Sequence, residues 1–286
     1  MFFVIFYIIS GRHGVCRYKQ AGFMADRLKR NIQGVIGIQK LLFATLIFFS
    51  VFALSACTTV NSELQVSGNP GELYDAGMEA YVDYRYDEAE RNFKGILEYH
   101  PLSPLALEAQ LMLGDISFVT EKFDDASAYY TDFIAMHPTH PRAPYALFQK
   151  GMSHFRDVLT IDRDQTSTRK ALFAFEDLLA GYPDSSYNET AKELVGFLKR
   201  RLADREFYIA RFYFNGKNYK GALARFRDML KNYPEVGLTD SALFYIGESY
   251  YELGETGLAR ETFTTLISDY PASPFVGDAK DRIKGG

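Results

Sequence analysis

Two histidines that could bind a metal ion, His137 and His140, lie three residues apart. Imidazole nitrogens are common ligands of transition metals, so a shared ion between them is chemically reasonable. However, Pro138 and Pro141 stand next to them, and proline ends a helix because it has no backbone N–H to donate. A turn is therefore the stronger interpretation, and we predict no metal site here.

The acidic residues Asp162 and Asp164, on either side of Arg163, form a second group that could do chemistry. Two carboxylates can act as general acid and base when they flank a substrate. Here they belong to the polar run 161–167, which interrupts an apolar helical pattern, so a solvated loop is the stronger interpretation. Glycine-rich phosphate loops, Cys/His metal spacings and nucleophile elbows are absent from the sequence. We predict no catalytic residue, no cofactor and no enzymatic activity.

A basic cluster, Lys199, Arg200 and Arg201, lies between Leu198 and Leu202. It could contact an acidic partner, but a solvated helix surface is the stronger interpretation, and we assign it no site. From Cys57 onward the chain has 25 basic and 35 acidic residues, a net charge of about −10. This balance disfavours nucleic acid as a partner and favours proteins.

The residue with a predicted covalent modification is Cys57, at the end of the segment Leu-Ser-Ala-Cys (54–57). This segment resembles the lipobox of bacterial lipoproteins. The resemblance implies that the Cys57 thiol receives a diacylglyceryl group and that cleavage makes Cys57 the first mature residue. Several acyl chains on one residue would anchor the protein stably. Thr58 rather than Asp follows, which by the same resemblance favours the outer membrane. The alternative is an ordinary signal peptide with an incidental cysteine.

Residues 1–56 are the predicted signal-peptide region. An apolar run over 41–53 follows a positively charged segment, in the order that secretory signals require. We interpret Met24 as the translation start, because the apolar residues 1–9 are too few to cross a bilayer. Residues 57–69 comprise the lipidated cysteine and a polar, flexible tether, with a mean span of roughly 20 Å.

The rest of the chain is organised by a repeat. From Ala126, an aromatic residue follows after four positions (Tyr130), an apolar residue after seven (Phe133), a ring after eleven (His137) and proline after twelve (Pro138). The same frame begins at four other alanines: Ala89, Ala171, Ala222 and Ala259. Spacings of four and seven place side chains on one face of a helix, which the proline ends. A small residue precedes four of the five alanines by twelve positions: Gly77, Gly114, Ala210 and Gly247. Each unit is therefore predicted to be a pair of helices in close contact.

Five such pairs predict an all-α solenoid, closed by a capping helix near 274–284. We expect a loop over 161–167 and one long helix over about 188–214. The frame resembles the tetratricopeptide repeat, which implies a right-handed α-solenoid. The predicted repeats cover about 70–102, 103–140, 141–184, 185–236 and 237–286.

Signal, lipobox, tether and five repeats together resemble the BamD family, lipoproteins of the machine that assembles β-barrels in the bacterial outer membrane. The stretches that carry the resemblance are 137–141 (His-Pro-Thr-His-Pro), 162–171, 182–187 (Tyr-Pro-Asp-Ser-Ser-Tyr) and 197–203. The resemblance implies a scaffold anchored at the periplasmic face of the outer membrane. Its partners would be the barrel subunit through its POTRA domains, accessory lipoproteins and unfolded outer-membrane β-barrel proteins. A pilotin-like lipoprotein for a secretin or type IV pilus is the alternative.

First helices of stacked hairpins line the concave face, which predicts an aromatic peptide groove. Its expected residues are Tyr74, Met78, Tyr81, Asp115, Phe118, Phe148, Met152 and Phe155. By resemblance, its ligand would be the terminal β-strand of a barrel precursor. The alternative is that most of these rings belong to the core.

The frame also aligns Arg225 with an arginine that, in the family, meets an acidic residue of the last POTRA domain. Arg225 lies next to Phe226 on the buried stripe, so it is expected at the edge of that stripe, exposed to a partner. A solvated surface charge is the alternative.

Overall fold

The structure is a computed structural model that describes residues 68–234 and 236–285. The described residues form helices and turns and contain no strand. The predicted signal region 1–56, the predicted lipidation site Cys57 and most of the predicted tether lie outside the described ranges.

Ten helices form five consecutive hairpins, and an eleventh follows them within the described part of the chain. The hairpins are α1 (Pro70–Val82) with α2 (Tyr86–Tyr99), α3 (Pro104–Val119) with α4 (Phe123–Met136), α5 (Ala143–Arg156) with α6 (Thr166–Gly181), α7 (Asn188–Asn215) with α8 (Tyr219–Asn232), and α9 (Thr239–Glu252) with α10 (Thr256–Asp269). The last helix is α11 (Val276–Gly285).

The hairpins stack in chain order. Each helix packs against the next one along the chain, and first helices of adjacent hairpins also touch, α1 against α3 and α7 against α9. Apolar side chains fill the interior of this stack, because each hairpin buries its apolar face against its neighbours. The predicted helical solenoid is confirmed.

The repeat frame describes the core correctly. All five origin alanines are buried, and so are the aromatic residues four positions after them. Those aromatics are Phe93, Tyr130, Phe175, Phe226 and Phe263. In four hairpins the ring lies against a glycine of the first helix, where an added Cβ would come within 2.5–2.9 Å of a ring carbon. Those glycines are Gly77, Gly114, Gly151 and Gly247. Glycine is needed there because any side chain would displace the ring.

Side-chain caps fix where several helices begin. Asn69 and Glu72 form a reciprocal capping box at the start of α1, with the Asn69 side chain accepting from the Glu72 N–H at 3.0 Å. The Ser103 hydroxyl accepts from the Leu105 N–H at 3.2 Å and starts α3. The Ser273 hydroxyl also accepts from the Phe275 N–H at 3.3 Å, but residues 274–275 form a turn, and α11 begins at Val276, two residues after the expected start.

The two expected irregularities are present with small differences in their bounds. The long helix is α7, Asn188–Asn215. The loop before α6 ends earlier than expected, since Thr166 and Ser167 are already helical. The reason is local: an Asp164 carboxylate oxygen accepts from the Thr166 N–H at 2.9 Å, and the buried Gln165 donates to the carbonyl of Thr160 at 2.8 Å. In the described ranges, no helix combines the length and the apolar character needed to cross a membrane.

Candidate functional site

The residues predicted to line the peptide groove lie on α1, α3 and α5, the first helices of the first three hairpins. All eight are partly buried: Tyr74, Met78, Tyr81, Asp115, Phe118, Phe148, Met152 and Phe155. Each of the seven apolar and aromatic side chains packs on one side against the buried core. These side chains are therefore neither fully exposed groove residues nor fully buried core residues. They support the core and still expose part of their surface.

Packing between rings holds these side chains in place. Tyr74 meets the buried Phe93 edge-on at a centroid distance of 5.6 Å. Phe148 stacks on Tyr187 at 4.9 Å with an angle of 21° between the rings. Such contacts restrict the conformations of an aromatic side chain, so less conformational entropy is lost when a ligand binds to it.

The structure divides the predicted groove into three patches. Residues on α1 pack against the core cluster of the first hairpin, Phe118 against that of the second, and the residues on α5 against that of the third. Asp115 on α3 acts on the first patch, because burial and, to a smaller extent, the charge of Asp115 raise the pKa of both Tyr74 and Tyr81. The surface is therefore a series of apolar patches with one acidic centre.

Asp115 is the centre of a hydrogen-bond network that links three helices. The hydroxyl of Tyr130 on α4 donates to Asp115 Oδ1 at 2.6 Å, and the hydroxyl of Tyr145 on α5 donates to the same oxygen at 2.5 Å. Gln149 donates to the Tyr145 hydroxyl at 3.3 Å. Acceptors that are ionised make the stronger hydrogen bonds, so this network should hold the hairpins in register.

Burial shifts the acidities within this network. Loss of solvent raises the pKa of Asp115, and the two tyrosine hydroxyls that donate to it oppose that shift. The pKa of Tyr130 and that of Tyr145 are also raised, first by burial and then by the neighbouring charge of Asp115. Both hydroxyls therefore keep their protons and remain donors.

A charged pair borders the same surface. Arg142 donates to Glu108 at 3.0 Å, and its guanidinium lies 4.7 Å from the centre of the Tyr145 ring. Burial and then the charge of Glu108 raise the pKa of Tyr74, and Arg142 opposes this shift, so both charges act on the first patch. The side chain of Arg142 remains 42% exposed, and part of the guanidinium is accessible to a ligand.

Sequence reasoning missed three members of this network, Tyr130, Tyr145 and Gln149, and the neighbouring pair of Arg142 and Glu108. One signal was present. The repeat frame has phenylalanine at the fully buried aromatic position of four units and tyrosine only at Tyr130. A hydroxyl at a buried position requires a partner, which pointed to an acceptor on the facing helix.

Arg225 lies on α8 and is exposed, as expected. Its side chain forms an ion pair with Glu206 on α7, with Nη1 3.4 Å from the carboxylate. The neighbouring Arg227 donates to the hydroxyl of Tyr250 and lies over that ring at 5.4 Å. Of these two arginines, Arg225 has the partner that solvent reaches more easily, because Tyr250 is buried.

The basic cluster of α7 serves contacts within the chain. Lys199 pairs with Glu176 at 2.8 Å, and Arg201 donates to the carbonyl of Leu159. Arg200 donates to the carbonyl of Val236 at 2.7 Å. These side chains tie two loops to α7.

His137 and His140 pack against the same ring, that of Phe133, at centroid distances of 5.6 and 5.3 Å. Groups of three or more residues that could hold a metal ion are not found in the part of the chain that the structure describes. Asp162 and Asp164 are exposed, and hydrogen bonds to nearby groups lower the pKa of each.

Comparison with known proteins identifies relatives along most of the chain. The model of the YfiO family, described as "Outer membrane lipoprotein", matches residues 67–262. A Rickettsia prowazekii protein is 27% identical over 247 residues, which are 86% of this chain and 98% of that protein. A Caulobacter vibrioides protein is 27% identical over 207 residues, covering 72% and 68% of the two chains. A Haemophilus influenzae protein is 28% identical over 216 residues, covering 72% and 82%. All three are named outer membrane protein assembly factor BamD.

Solved structures resemble this chain only weakly. The structure of PilW, described as a widely conserved type IV pilus biogenesis factor, aligns with 77% of this chain and 99% of its own at 13% identity. Its TM-score is 0.34, and a similarity this low carries no argument about function.

Proposed function

The chain belongs to the YfiO family of outer membrane lipoproteins, and on that premise we propose that it is a non-catalytic assembly factor for outer-membrane proteins. It acts as a scaffold of the β-barrel assembly complex, with accessory lipoproteins among its partners. Lipid on Cys57 anchors it at the periplasmic face of the outer membrane. The family membership and the names of the relatives support this role.

The first three hairpins bind segments of unfolded β-barrel precursors. The observation that carries this proposal is the row of half-buried aromatic side chains on α1, α3 and α5 around the Asp115 network. A terminal β-strand presents apolar side chains on one face and unpaired backbone N–H and C=O groups at its edges. The aromatic patches fit the apolar side chains, and Asp115 supplies an acceptor for a backbone N–H group.

Arg142 would set the direction in which a peptide lies on this surface. Its accessible guanidinium borders Tyr145 and the patch around Tyr74. Arginine binds a carboxylate through two parallel hydrogen bonds, so the carboxyl end of a terminal strand fits here. Exchange of Glu108 for a peptide carboxylate leaves no charge buried, because both partners of the Arg142 pair are partly solvated.

Arg225 contacts the POTRA region of the barrel subunit. Its pair with Glu206 is half exposed, and such surface pairs contribute only about 0–1 kcal/mol. Arg225 can therefore exchange Glu206 for an acidic residue of the partner at little cost. A guanidinium can bind a carboxylate through two parallel hydrogen bonds, which favours this exchange.

Depletion of the protein tests the role in assembly. The expected result is a decrease of several unrelated β-barrel proteins in the outer membrane, with their precursors accumulating in the periplasm. Loss confined to one secretion or pilus system would contradict the proposal and favour the pilotin-like role.

Binding to an isolated POTRA region tests Arg225. For a pair that the complex partly removes from solvent, Arg225→Glu should weaken binding by about 2–5 kcal/mol, since it replaces an attractive charge with a repulsive one. Glu206→Gln is the matched control, because it frees Arg225 and should leave the affinity unchanged or slightly higher. Equal affinity of Arg225→Glu and the unchanged chain would remove Arg225 from the interface.

A further inference from the structure

A second groove lies in the carboxyl-terminal half of the described residues, along α7. Its volume is about 510 Å³. The lining residues are Ile161, Asp204, Phe207, Tyr208, Arg211, Phe212 and Asn215. Six of them recur every three or four positions of α7, so they share one face of that helix. The seventh comes from the loop before α6.

Contacts within the chain fix the shape of this groove. Arg205 donates to the carbonyl of Ile161 at 2.6 Å, and Arg201 donates to the carbonyl of Leu159, so the loop is tied to α7 at two points. Phe207 packs edge-on against Phe226 at 5.4 Å. A groove whose loop and floor are fixed in this way is preformed for binding.

Two aromatic side chains on this face are largely in solvent. Tyr208 is 52% exposed and Phe212 is 72% exposed. Both lie one helical turn apart on the same stripe, beside the partly buried Phe207. Large apolar side chains grouped at a groove are typical of surfaces that bind another protein, because burial of their area is favourable.

Of the two charged residues that line the groove, Asp204 has an ion-pair partner and Arg211 has no carboxylate partner in the described part of the chain. Asp204 pairs with Arg200 at 3.0 Å. Arg211 lies over the ring of Tyr245 at 5.3 Å, and no carboxylate in the described part of the chain forms an ion pair with it. An arginine that rests on an aromatic ring and has no acidic partner can still bind a carboxylate through its free N–H groups.

We propose that this groove binds a short segment of a partner protein in which an acidic side chain stands between aromatic ones, with the segment bent so that all three side chains face the groove. The aromatic side chains cover Tyr208 and Phe212, and the carboxylate pairs with Arg211. A nucleic acid or an anionic membrane does not fit, because Asp204 lines the same groove and the chain is acidic from Cys57 onward. The site is separate from α1, α3 and α5 and does not depend on the role proposed for them.

Peptide binding to the full chain, purified in detergent, tests the proposal. The probe is a fluorescein-labelled peptide, Gly-Ser-Phe-Glu-Phe-Ser-Gly, measured by fluorescence anisotropy. Two comparison peptides replace its centre by Phe-Lys-Phe or by Ala-Glu-Ala. The Phe-Glu-Phe peptide should bind at least tenfold more tightly than either of them.

Variants locate the site. Arg211→Gln and Phe212→Ser should each weaken binding of the Phe-Glu-Phe peptide at least tenfold, with helix content unchanged by circular dichroism. The matched controls are Arg91→Gln, an exposed arginine on α2, and Phe173→Ser, an exposed phenylalanine on α6, and both should bind as the unchanged chain does.

Three results would overturn the proposal. The first is no measurable binding of the Phe-Glu-Phe peptide. The second is equal binding of the Phe-Lys-Phe peptide, which removes the role of Arg211. The third is an affinity that Phe212→Ser leaves unchanged, which places the binding elsewhere. None of these results bears on Tyr74 or Phe118, so failure here is distinguishable from failure of the peptide site on the first three hairpins.

Discussion

Asp115 and Tyr145 are 30 residues apart in sequence and share a hydrogen bond of 2.5 Å between the first helices of two adjacent hairpins. Tyr130 donates to the same carboxylate oxygen at 2.6 Å. One acidic side chain thus connects the second and third repeats within the surface proposed to bind peptide. Its removal should therefore affect the stack itself as well as ligand binding.

Asp115→Ala should destabilise the protein by about 1–3 kcal/mol, because it leaves the buried Tyr130 hydroxyl without an acceptor. The double variant with Tyr130→Phe should cost less than the sum of the two single changes, since the orphaned hydroxyl is then absent. Urea denaturation of the four proteins gives this coupling energy. Additivity within about 0.5 kcal/mol would contradict the network.

Stability should depend on pH through Asp115. Burial raises its pKa in the folded state above the ordinary value, about 3.9 for an unfolded chain. Between those two values the folded state binds more protons than the unfolded state, so stability falls as pH rises through that window. Asp115→Asn removes this term, and the stability difference between the two proteins should change with that sign. Thermal denaturation from pH 3.5 to 7 measures it, and a difference constant with pH would contradict the shift.

The sequence predicted the repeats well because helical periodicity fixes which side chains face inward. Each origin alanine, such as Ala126 and Ala222, is buried, as are the aromatic residues four positions later. The long helix over Asn188–Asn215 followed from the same periodicity. Spacing within one helix is local information, so a single sequence contains it.

The polar contacts could not be predicted in the same way. Arg200, Arg201 and Arg205 donate to backbone carbonyls 36 to 44 residues away, and a backbone carbonyl has no signature in the sequence. Likewise, the exposure of Arg225 followed from the frame, whereas its pairing with Glu206 depends on how α7 and α8 are placed. Its role at a partner interface stays a prediction.

The glycines that face aromatic rings give a test of the hairpin packing. An alanine Cβ at Gly151 would lie 2.5 Å from a Phe175 ring carbon, so Gly151→Ala should destabilise by about 1–3 kcal/mol. Gly196→Ala is the matched control on α7, where no atom beyond the neighbouring residues and the backbone of that helix lies within 4 Å of the added Cβ. It should stabilise by about 0.5–1 kcal/mol, because alanine is the better helix former. Equal effects of the two changes on thermal stability would refute this packing.

An ion pair should strengthen the attachment of the last helix, which also packs through the buried Ala279. Arg282 on α11 binds the buried Glu248 on α9 through two hydrogen bonds of 2.8 and 2.7 Å. Arg282→Ala leaves that carboxylate unpaired and should cost about 1–3 kcal/mol. Lys284→Ala, which breaks an exposed pair with Asp281 at 3.9 Å, should cost about 0–1 kcal/mol. Hydrogen exchange of α11 amides should accelerate only in the first variant, and equal exchange in both would contradict this attachment.

Photocrosslinking in living cells tests the central claim most directly. A photoreactive phenylalanine analogue at Tyr74 or Phe118 lies on the proposed peptide surface, and the same analogue at Phe173 lies on an exposed face of α6 as a control. We predict that Tyr74 and Phe118 capture newly made β-barrel precursors, that Phe173 does not, and that capture falls when the terminal strand of the precursor is deleted. Capture at none of these positions, or equally at all three, would contradict a peptide-binding surface on the first three hairpins.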